Sequence, residues 1–446
     1  MKIIRKHSNI QALFPNYFTN EHIDNLVLSK YTHYQEVNSD SGIFYSFISD
    51  AILHINGEEY AAILNRDFSH CSALFTALKE NGFFVKKDIN ESDLMLQHRE
   101  NMLGSKSSTL KIVIMPTTDC NARCQYCIGK DNIRETMTLE TAKKVVEFIV
   151  GAAEGYKAIR LDWYGGEPLI KKDLITYICD EIQQSLPNVT LTSVITTNLV
   201  LLNEELIDVA IKSWHIKKVN VTIDGDEFEH NSRKKYLNTQ FNGYKHTIKC
   251  IQLLLEKGVT VFCRYNIDRN NATKLSAAIK EIAPFIKNKL FYFFVSPLRG
   301  DNEFTEFFST EEYNNLFLET GELLNQSGIH NTVDSFVPKA MMGYCIAKNQ
   351  NCFVIAPNGV LHRCNLGLLD NSTATGSVFC GLEKNKNYEE FVNCDIDAEC
   401  ESCKFLPICQ GGCPTQKITA SKSNSKCNKF KYKLVAISKL LEKFYI

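Results

Sequence analysis

The sequence predicts an α/β protein. Its centre is a partial (β/α)6 barrel of TIM type, preceded by a small α+β N-terminal domain and followed by a cysteine-rich C-terminal domain. Three observations predict this. Six apolar, β-branched runs alternate with helical stretches between Lys111 and Val295. The chain before residue 105 has a different texture. After about residue 340 the cysteines crowd together and long periodic segments disappear. The expected boundaries are 1–105, 111–325 and 340–446.

In the first segment, AILHINGEEYAAIL (Ala51 to Leu64) and ALFTALKENGFFVKK (Ala73 to Lys87) read as short paired elements. The second is a helix, a Gly82 C-cap and a short strand. The polar run ENMLGSKSSTLK (Glu100 to Lys111) reads as a linker. The barrel strands are KIVIMPT (Lys111 to Thr117), IRLDWYG (Ile159 to Gly165), LTSVIT (Leu191 to Thr196), KKVNVTI (Lys217 to Ile223), VTVFCRYN (Val259 to Asn266) and LFYFFV (Leu290 to Val295). Helical runs such as LETAKKVVEFIVGAAEG and GYKHTIKCIQLLLEKG lie between them, so the strands pair in parallel with right-handed crossovers. In such sheets the ligand sits at the carboxyl ends of the strands. The last segment is Gly-punctuated, suits a domain held together by metal, and ends in the amphipathic run FKYKLVAISKLLEKF.

Composition narrows the function. The 446 residues are 44% hydrophobic and 23% charged, with a formal charge of −1. No strong field points to nucleic acid or an anionic membrane. No apolar run approaches the roughly 18 residues of a spanning helix, and the start MKIIRKHSNIQALF lacks a secretory core. A cytoplasmic protein is expected. Seventeen cysteines are many for such a chain. Disulfides are rare in the cytosol, so metal ligation or redox work explains them better.

The stretch CNARCQYC, just past the first strand, carries Cys120, Cys124 and Cys127 at Cys-x3-Cys-x2-Cys spacing. Thiolates favour zinc or iron–sulfur clusters. Three protein ligands leave one position open, and an open position on a metal marks a reactive site. A zinc site completed by a distant His or Cys is the alternative. GGEP follows the second strand (Gly165, Gly166, Glu167, Pro168), and ITTNL, with Thr197 and Asn198, ends the third. VTIDGDEFEHNSRK ends the fourth and RYNID the fifth.

As an ordered set on successive strands, these motifs resemble the radical SAM superfamily. In that family the fourth ligand of the 4Fe–4S cluster is S-adenosylmethionine (SAM). The resemblance implies that Tyr126 lies beside SAM and that Gly165, Gly166, Glu167 and Pro168 meet its amino group. Thr197 and Asn198 then approach its ribose and carboxylate. Leu199 stands where the family often has Gly, so that match is partial. Thr222, Asp224 and Arg233, in a segment similar to the SIDG…H…R run of the peptide-modifying branch, become SAM or substrate contacts, with Arg264 and Asn266 from the fifth strand.

The C-terminal cysteines resemble the SPASM extension of radical SAM enzymes: a G-x4-C ending at Cys364, then Cys400-x2-Cys403-x5-Cys409-x3-Cys413, and Cys427. The resemblance implies two auxiliary 4Fe–4S clusters, three clusters in all. Cys345, Cys352, Cys364 and Cys413 take the first; Cys400, Cys403, Cys409 and Cys427 take the second. A pair of zinc sites, each held by four cysteines, is the alternative reading. Of the six remaining cysteines, Cys179, Cys250 and Cys263 sit in apolar patterns and read as buried hydrophobes. Cys71 is unassigned, and Cys380 or Cys394 is a candidate substitute ligand.

The implied activity is reductive cleavage of SAM to a 5′-deoxyadenosyl radical that removes hydrogen from a ribosomally made precursor peptide, leading to a cross-link such as a thioether or C–C bond. The implied partners are that peptide and a reductant such as flavodoxin or ferredoxin. The first 105 residues have the size of a leader-binding segment. Anaerobic sulfatase maturases, which make formylglycine, are the nearest alternative, but they carry an Asp base where this chain has Asn365. A non-catalytic iron–sulfur electron carrier is the alternative from another class.

Overall fold

Six parallel strands, each followed by a helix, form the body of the fold. A computed structural model of the chain describes residues 1–7, 21–104, 108–129, 133–298, 310–328, 337, 339, 345–365, 371–419 and 430–446. The strands are β1 (Thr109–Ile114), β2 (Ala158–Trp163), β3 (Thr190–Thr196), β4 (Ile216–Ile223), β5 (Thr260–Ile267) and β6 (Phe291–Pro297). They pair in sequence order, and every pair is parallel. All six expected runs therefore become strands, with no end displaced by more than three residues. The intervening helices are α1 (Leu139–Ala152), α2 (Lys172–Ser185), α3 (Glu204–Lys212), α4 (Glu227–Lys234), α5 (Gly243–Glu256) and α6 (Leu275–Ile282). Each of α1, α3, α4 and α5 starts where a Thr, Asn or Asp side chain accepts from a first-turn N–H (Thr138, Asn203, Asp226 and Asn242).

Strand alternation divides the sheet into two faces. On β2, Ile159, Leu161 and Trp163 turn outward into the core under the helices. Arg160 and Asp162 turn to the opposite, concave face and pair at 2.7 Å. On the same face, Lys218 of β4 lies 4.1 Å from the ring centre of Phe262 on β5, which stacks on Tyr292 of β6 at 4.6 Å. The lumen is thus polar and aromatic, while the aliphatic core lies outside it.

The sheet does not end at β1. Strand β7 (Cys352–Ile355) pairs with β1 in parallel, setting Cys352 opposite Lys111, and β8 (Leu361–His362) adds antiparallel to β7. The cysteine-rich segment therefore extends the sheet of the barrel. Among the described residues no helix is long and apolar enough to cross a membrane.

The N-terminal residues form an antiparallel sheet, ordered Lys2–Arg5, Ile52–Asn56, Ser41–Ser46, Thr32–Glu36. The Ala51–Leu64 stretch resolves into a strand followed by helix Gly57–Asn65, joined by a capping box between Asn56 and Glu59. The Ala73–Lys87 stretch forms helix Ser72–Glu80 and strand Phe84–Lys86, with Gly82 at φ 70° between them. The expected linker is shorter than its polarity suggested. Helix Glu91–Gly104 runs through its first five residues, and β1 begins at Thr109.

Both faces of this N-terminal sheet are covered. One packs on its own helices through Phe44, Leu53, Ile63, Leu74 and Leu78. The other packs on the chain's C-terminal helix, Phe430–Tyr445. There Ile43, Tyr45 and Ile52 meet Phe405, Ile408, Leu434, Ile437 and Leu441. Tyr45 and Ser438 also hydrogen-bond at 2.8 Å. We expect Leu434→Ala, at a fully buried position, to destabilise the protein by about 2–5 kcal/mol. The neighbouring, partly exposed Val435→Ala should stay within about 0.5 kcal/mol. Urea unfolding of the two variants checks this.

A candidate cluster and cofactor site

The loop after β1 turns on Thr117. Its hydroxyl donates to the Glu135 carbonyl at 2.9 Å and accepts from the Asp119 N–H at 3.0 Å. The Asp119 carboxylate then accepts from the Cys120 N–H at 2.8 Å. Cys120, Cys124 and Cys127 follow, and they come together. Burial pushes the Cys120 thiol up to about 11, with Glu167, Cys124 and Cys127 adding to the rise.

Two protein edges hold this loop. On one side the Gly166 N–H donates to the Thr117 carbonyl (3.0 Å) and the Glu167 N–H to that of Asp119 (2.8 Å). A Cβ built on Gly165 would stand far inside contact with the Thr117 oxygen, and one on Gly166 inside contact with the Asp119 oxygen. The two glycines serve a close approach of backbone to backbone within the protein. On the other side the loop lies along the end of α4. The Arg123 N–H donates to the Lys234 and Lys235 carbonyls, the Gln125 N–H to Arg233, and the Leu237 N–H to Asn121.

Glu167 is almost wholly buried, and its carboxylate accepts from Thr197 Oγ1 (2.7 Å), Asn198 N (2.8 Å) and Leu169 N (3.1 Å). It ties the end of β2 to the end of β3, and Pro168 opens the turn that follows. Burial raises the Glu167 carboxyl to about 7, although its three donors and Lys234 oppose the rise. Asn198 in turn donates to Asn121 Oδ1 at 2.7 Å and reaches Cys120 Sγ at 3.8 Å. Leu199, where the family often has Gly, is buried at φ 65°. The position does require the left-handed backbone that Gly adopts without strain.

Beside the cysteines sits a buried polar knot. Tyr126 donates to Asp224 Oδ2 at 2.6 Å, and Lys234 Nζ lies 2.9 Å from the Tyr126 hydroxyl, 3.2 Å from Asp224 and in contact with Thr222 Oγ1. Asp224 is held below its ordinary value: burial pushes it up, but Lys234, with other nearby groups, outweighs burial. Lys234 itself is held well above its usual range, chiefly by Asp224 against burial. The sequence motif points to Arg233, and the structure adds its neighbour Lys234. Arg233 pairs with Asp268 at 2.6 Å and Glu229 at 3.4 Å, and its guanidinium lies 5.5 Å from the centre of the Tyr126 ring. Both basic residues therefore border Tyr126, and Lys234 makes the hydrogen bond to its hydroxyl. Arg264 is paired opposite Thr222 in the β4–β5 register. Asn266 is buried and gives its carbonyl to Asn271.

The knot suits a zwitterionic cofactor bound beside a cluster. Among the described residues, Asn121 Nδ2 and Asp224 Oδ1 are buried with no hydrogen-bond partner. A donor and an acceptor thus remain next to three thiols and a buried ammonium. SAM carries both a carboxylate and an amino group, so Lys234 with Thr222, and Asp224, respectively, are the groups that fit it.

Further along, Cys345 and Cys364 pack in one small cluster with Ala347 and Phe391. Burial raises the Cys345 thiol, and Cys364 and Cys413 add to it; burial raises Cys352 to about 11, with Cys345 among the contributors. The four cysteines of the first expected set are therefore neighbours. Cys400 and Cys403 are neighbours too. Cys409 follows on the next short helix, while Cys427 lies outside the described residues. Cys179, Cys250 and Cys263 are buried, Cys380 is exposed, and no described cysteine is in a disulfide.

Residues 114–268 match the Radical SAM superfamily. They form a radical SAM domain. The chain is 23% identical over 267 residues to the radical SAM cyclopropyl synthase TigE of Paramaledivibacter caminithermalis, a match covering 52% of this chain and 55% of TigE. In structure it is similar to anSMEcpe solved with AdoMet and the Kp18Cys peptide (TM-score 0.60, 16% identity, 75% of this chain and 96% of that one). It is also similar to SuiB of Streptococcus suis bound to its precursor peptide SuiA (TM-score 0.52, 17% identity, 89% and 97%). At these identities the likeness shows the shared fold. The domain binds SAM and a 4Fe–4S cluster; Cys120, Cys124 and Cys127 are the residues of this chain that would hold that cluster.

Two measurements test the site. Lys234→Met leaves Asp224 charged and buried without its cation. We expect about 3–5 kcal/mol of destabilisation and a smaller loss for Lys234→Arg, read by unfolding of the metal-free protein. Glu167 gives a pH signature. Its folded carboxyl keeps its proton up to about 7 against an ordinary value of 4.5. Its contribution is therefore fully present below the ordinary value and is lost as pH rises through about 7. The unfolding midpoint of Glu167→Gln should fall less between pH 5 and 8 than that of the wild type.

Proposed function

We propose that this protein is a radical SAM peptide maturase carrying two auxiliary 4Fe–4S clusters, which modifies a ribosomally made precursor peptide by hydrogen abstraction and cross-linking. The observation that carries the reading is the placement of the three-thiol loop at the strand ends of a polar lumen. Strand β7, which pairs directly with β1, bears Cys352 of a second cysteine set. When bound, SAM and its cluster supply a carbon radical able to remove hydrogen from an unactivated position. The chain's own work is to hold and orient. Lys234 and Thr222 would take the SAM carboxylate, Glu167 locks two loops together, and Arg160, Lys218, Phe262 and Tyr292 line the lumen where a peptide would lie.

The formylglycine reading is weaker because Asn365 cannot act as the base that the maturases place there. Likeness to SuiB, solved with its precursor peptide, covers 89% of this chain, enough to reach into its first 105 residues, which supports a role for them in handling the precursor. A small reductant such as flavodoxin or ferredoxin would deliver the electron, in a reducing cytoplasm.

Anaerobic reconstitution tests this. About twelve irons per chain and reductant-dependent 5′-deoxyadenosine are expected. Cys124→Ala should fall to about eight irons and lose SAM cleavage. Iron at about four with zinc present would sink the auxiliary clusters and keep the radical core. Full iron without cleavage would turn the reading toward an electron carrier.

A further inference from the structure

Arg363, directly before Cys364, is buried to about one-hundredth exposure. All three guanidinium nitrogens donate to one short loop: Nε to the Ala347 carbonyl at 3.1 Å, Nη1 to Cys352 at 2.7 Å and Nη2 to Asn349 at 2.6 Å. That loop joins Cys345 to Cys352. The Tyr388 ring covers the guanidinium, its centre 5.3 Å away. A guanidinium cannot shed its charge as a lysine can. A buried, unpaired cation is costly. Yet among the described residues no Asp or Glu lies within ion-pair distance of Arg363. The ionisable groups facing it are Tyr388, Cys352 and Cys345. Carbonyl oxygens satisfy its donors but supply no countercharge. Thiolates would supply it, and thiolates are what a metal centre requires.

We infer that Arg363 is the built-in countercharge of an anionic metal–thiolate centre formed by Cys345, Cys352, Cys364 and Cys413, and that its guanidinium positions the loop carrying the first two of these cysteines. The inference rests on the auxiliary-cluster reading above and gives this residue a role in setting the potential of that cluster. Arg363 is a positioning residue: it acts through the centre and touches no substrate.

The experiment compares wild-type, Arg363→Met and Arg363→Lys full-length protein after anaerobic reconstitution. Iron is counted and the clusters are titrated by EPR-monitored reduction. The SAM-binding cluster is recognised by the change in its signal when SAM is added. Loss of a nearby positive charge makes an added electron less stable. We therefore expect Arg363→Met to move the potential of one auxiliary cluster downward and leave the SAM-binding cluster unmoved. Arg363→Lys should stay near the wild type. Full iron with no change in potential in Arg363→Met overturns the inference. If Arg363→Met loses about four irons, Arg363→Lys decides. Near-wild-type iron in Arg363→Lys supports the charge role, and the same loss in both variants shows that arginine's shape matters and overturns it. A wild-type chain that binds only about four irons overturns the auxiliary-cluster reading itself, whatever Arg363 does.

Discussion

The geometry depends on one constraint, the close approach of the GGEP turn to the loop that carries the cysteines. The carbonyls of Thr117 and Asp119 occupy the space that side chains at Gly165 and Gly166 would need. Their hydrogen bonds to Gly166 and Glu167 fix the loop from below. The opposite edge is fixed by backbone bonds to residues 233–237. A loop gripped on both sides has little freedom to redistribute its three thiols. This suits a site that must leave one metal position open while keeping the other three in place.

A second dependence runs between the ends of the chain. The N-terminal sheet has one face on its own helices and the other on the C-terminal helix and the Cys400–Cys409 segment. Leu406 packs among Tyr31, Ile48, Val85 and Met95, and Cys400 packs against the same group. Arg99 donates to the Gln410 carbonyl at 2.7 Å in a buried contact, and Glu91 accepts from Ser29 at 2.6 Å. The short helices carrying these cysteines have little apolar core of their own, so they borrow one from the N-terminal sheet. A disturbance at the first residues should be felt at this cysteine loop before it is felt in the barrel.

The barrel was legible in the sequence because β-branched runs with a buried outer face recur between amphipathic helical stretches. All six strands follow from it, whereas the polar helix α4 had no such signal. The cysteine motifs were legible as spacing, and their division into sets came from the resemblance to the SPASM extension. What could not be read was direction. Arg233 and Lys234 are adjacent and both basic; both border the Tyr126 ring, but Arg233 spends its hydrogen bonds on Asp268 and Lys234 on the Tyr126 hydroxyl. Glu167 was expected at a ligand; the sequence did not show that it also bonds three groups on its own and the neighbouring loop, as its near-complete burial demands. The Glu100–Lys111 stretch looked like a linker because polarity is shared by linkers and exposed helices. The pairing of β7 with β1 had no sequence signal either, for it joins segments far apart in the chain, Lys111 opposite Cys352.

The described cysteine sets share an electrostatic design. Burial pushes the thiols of Cys120, Cys124, Cys345, Cys352 and Cys400 upward, toward the neutral form. In each set a cation pulls the other way: Lys234 at Cys124, Lys111 and Arg363 at Cys352, and Lys417 at Cys400. A nearby cation does not by itself mark a ligand, since Lys249 and Lys234 also oppose burial at the core thiols Cys250 and Cys263. At the motif cysteines the cation sits where several thiols gather and negative charge would build up on sulfur, which is the condition a cluster imposes on its ligands.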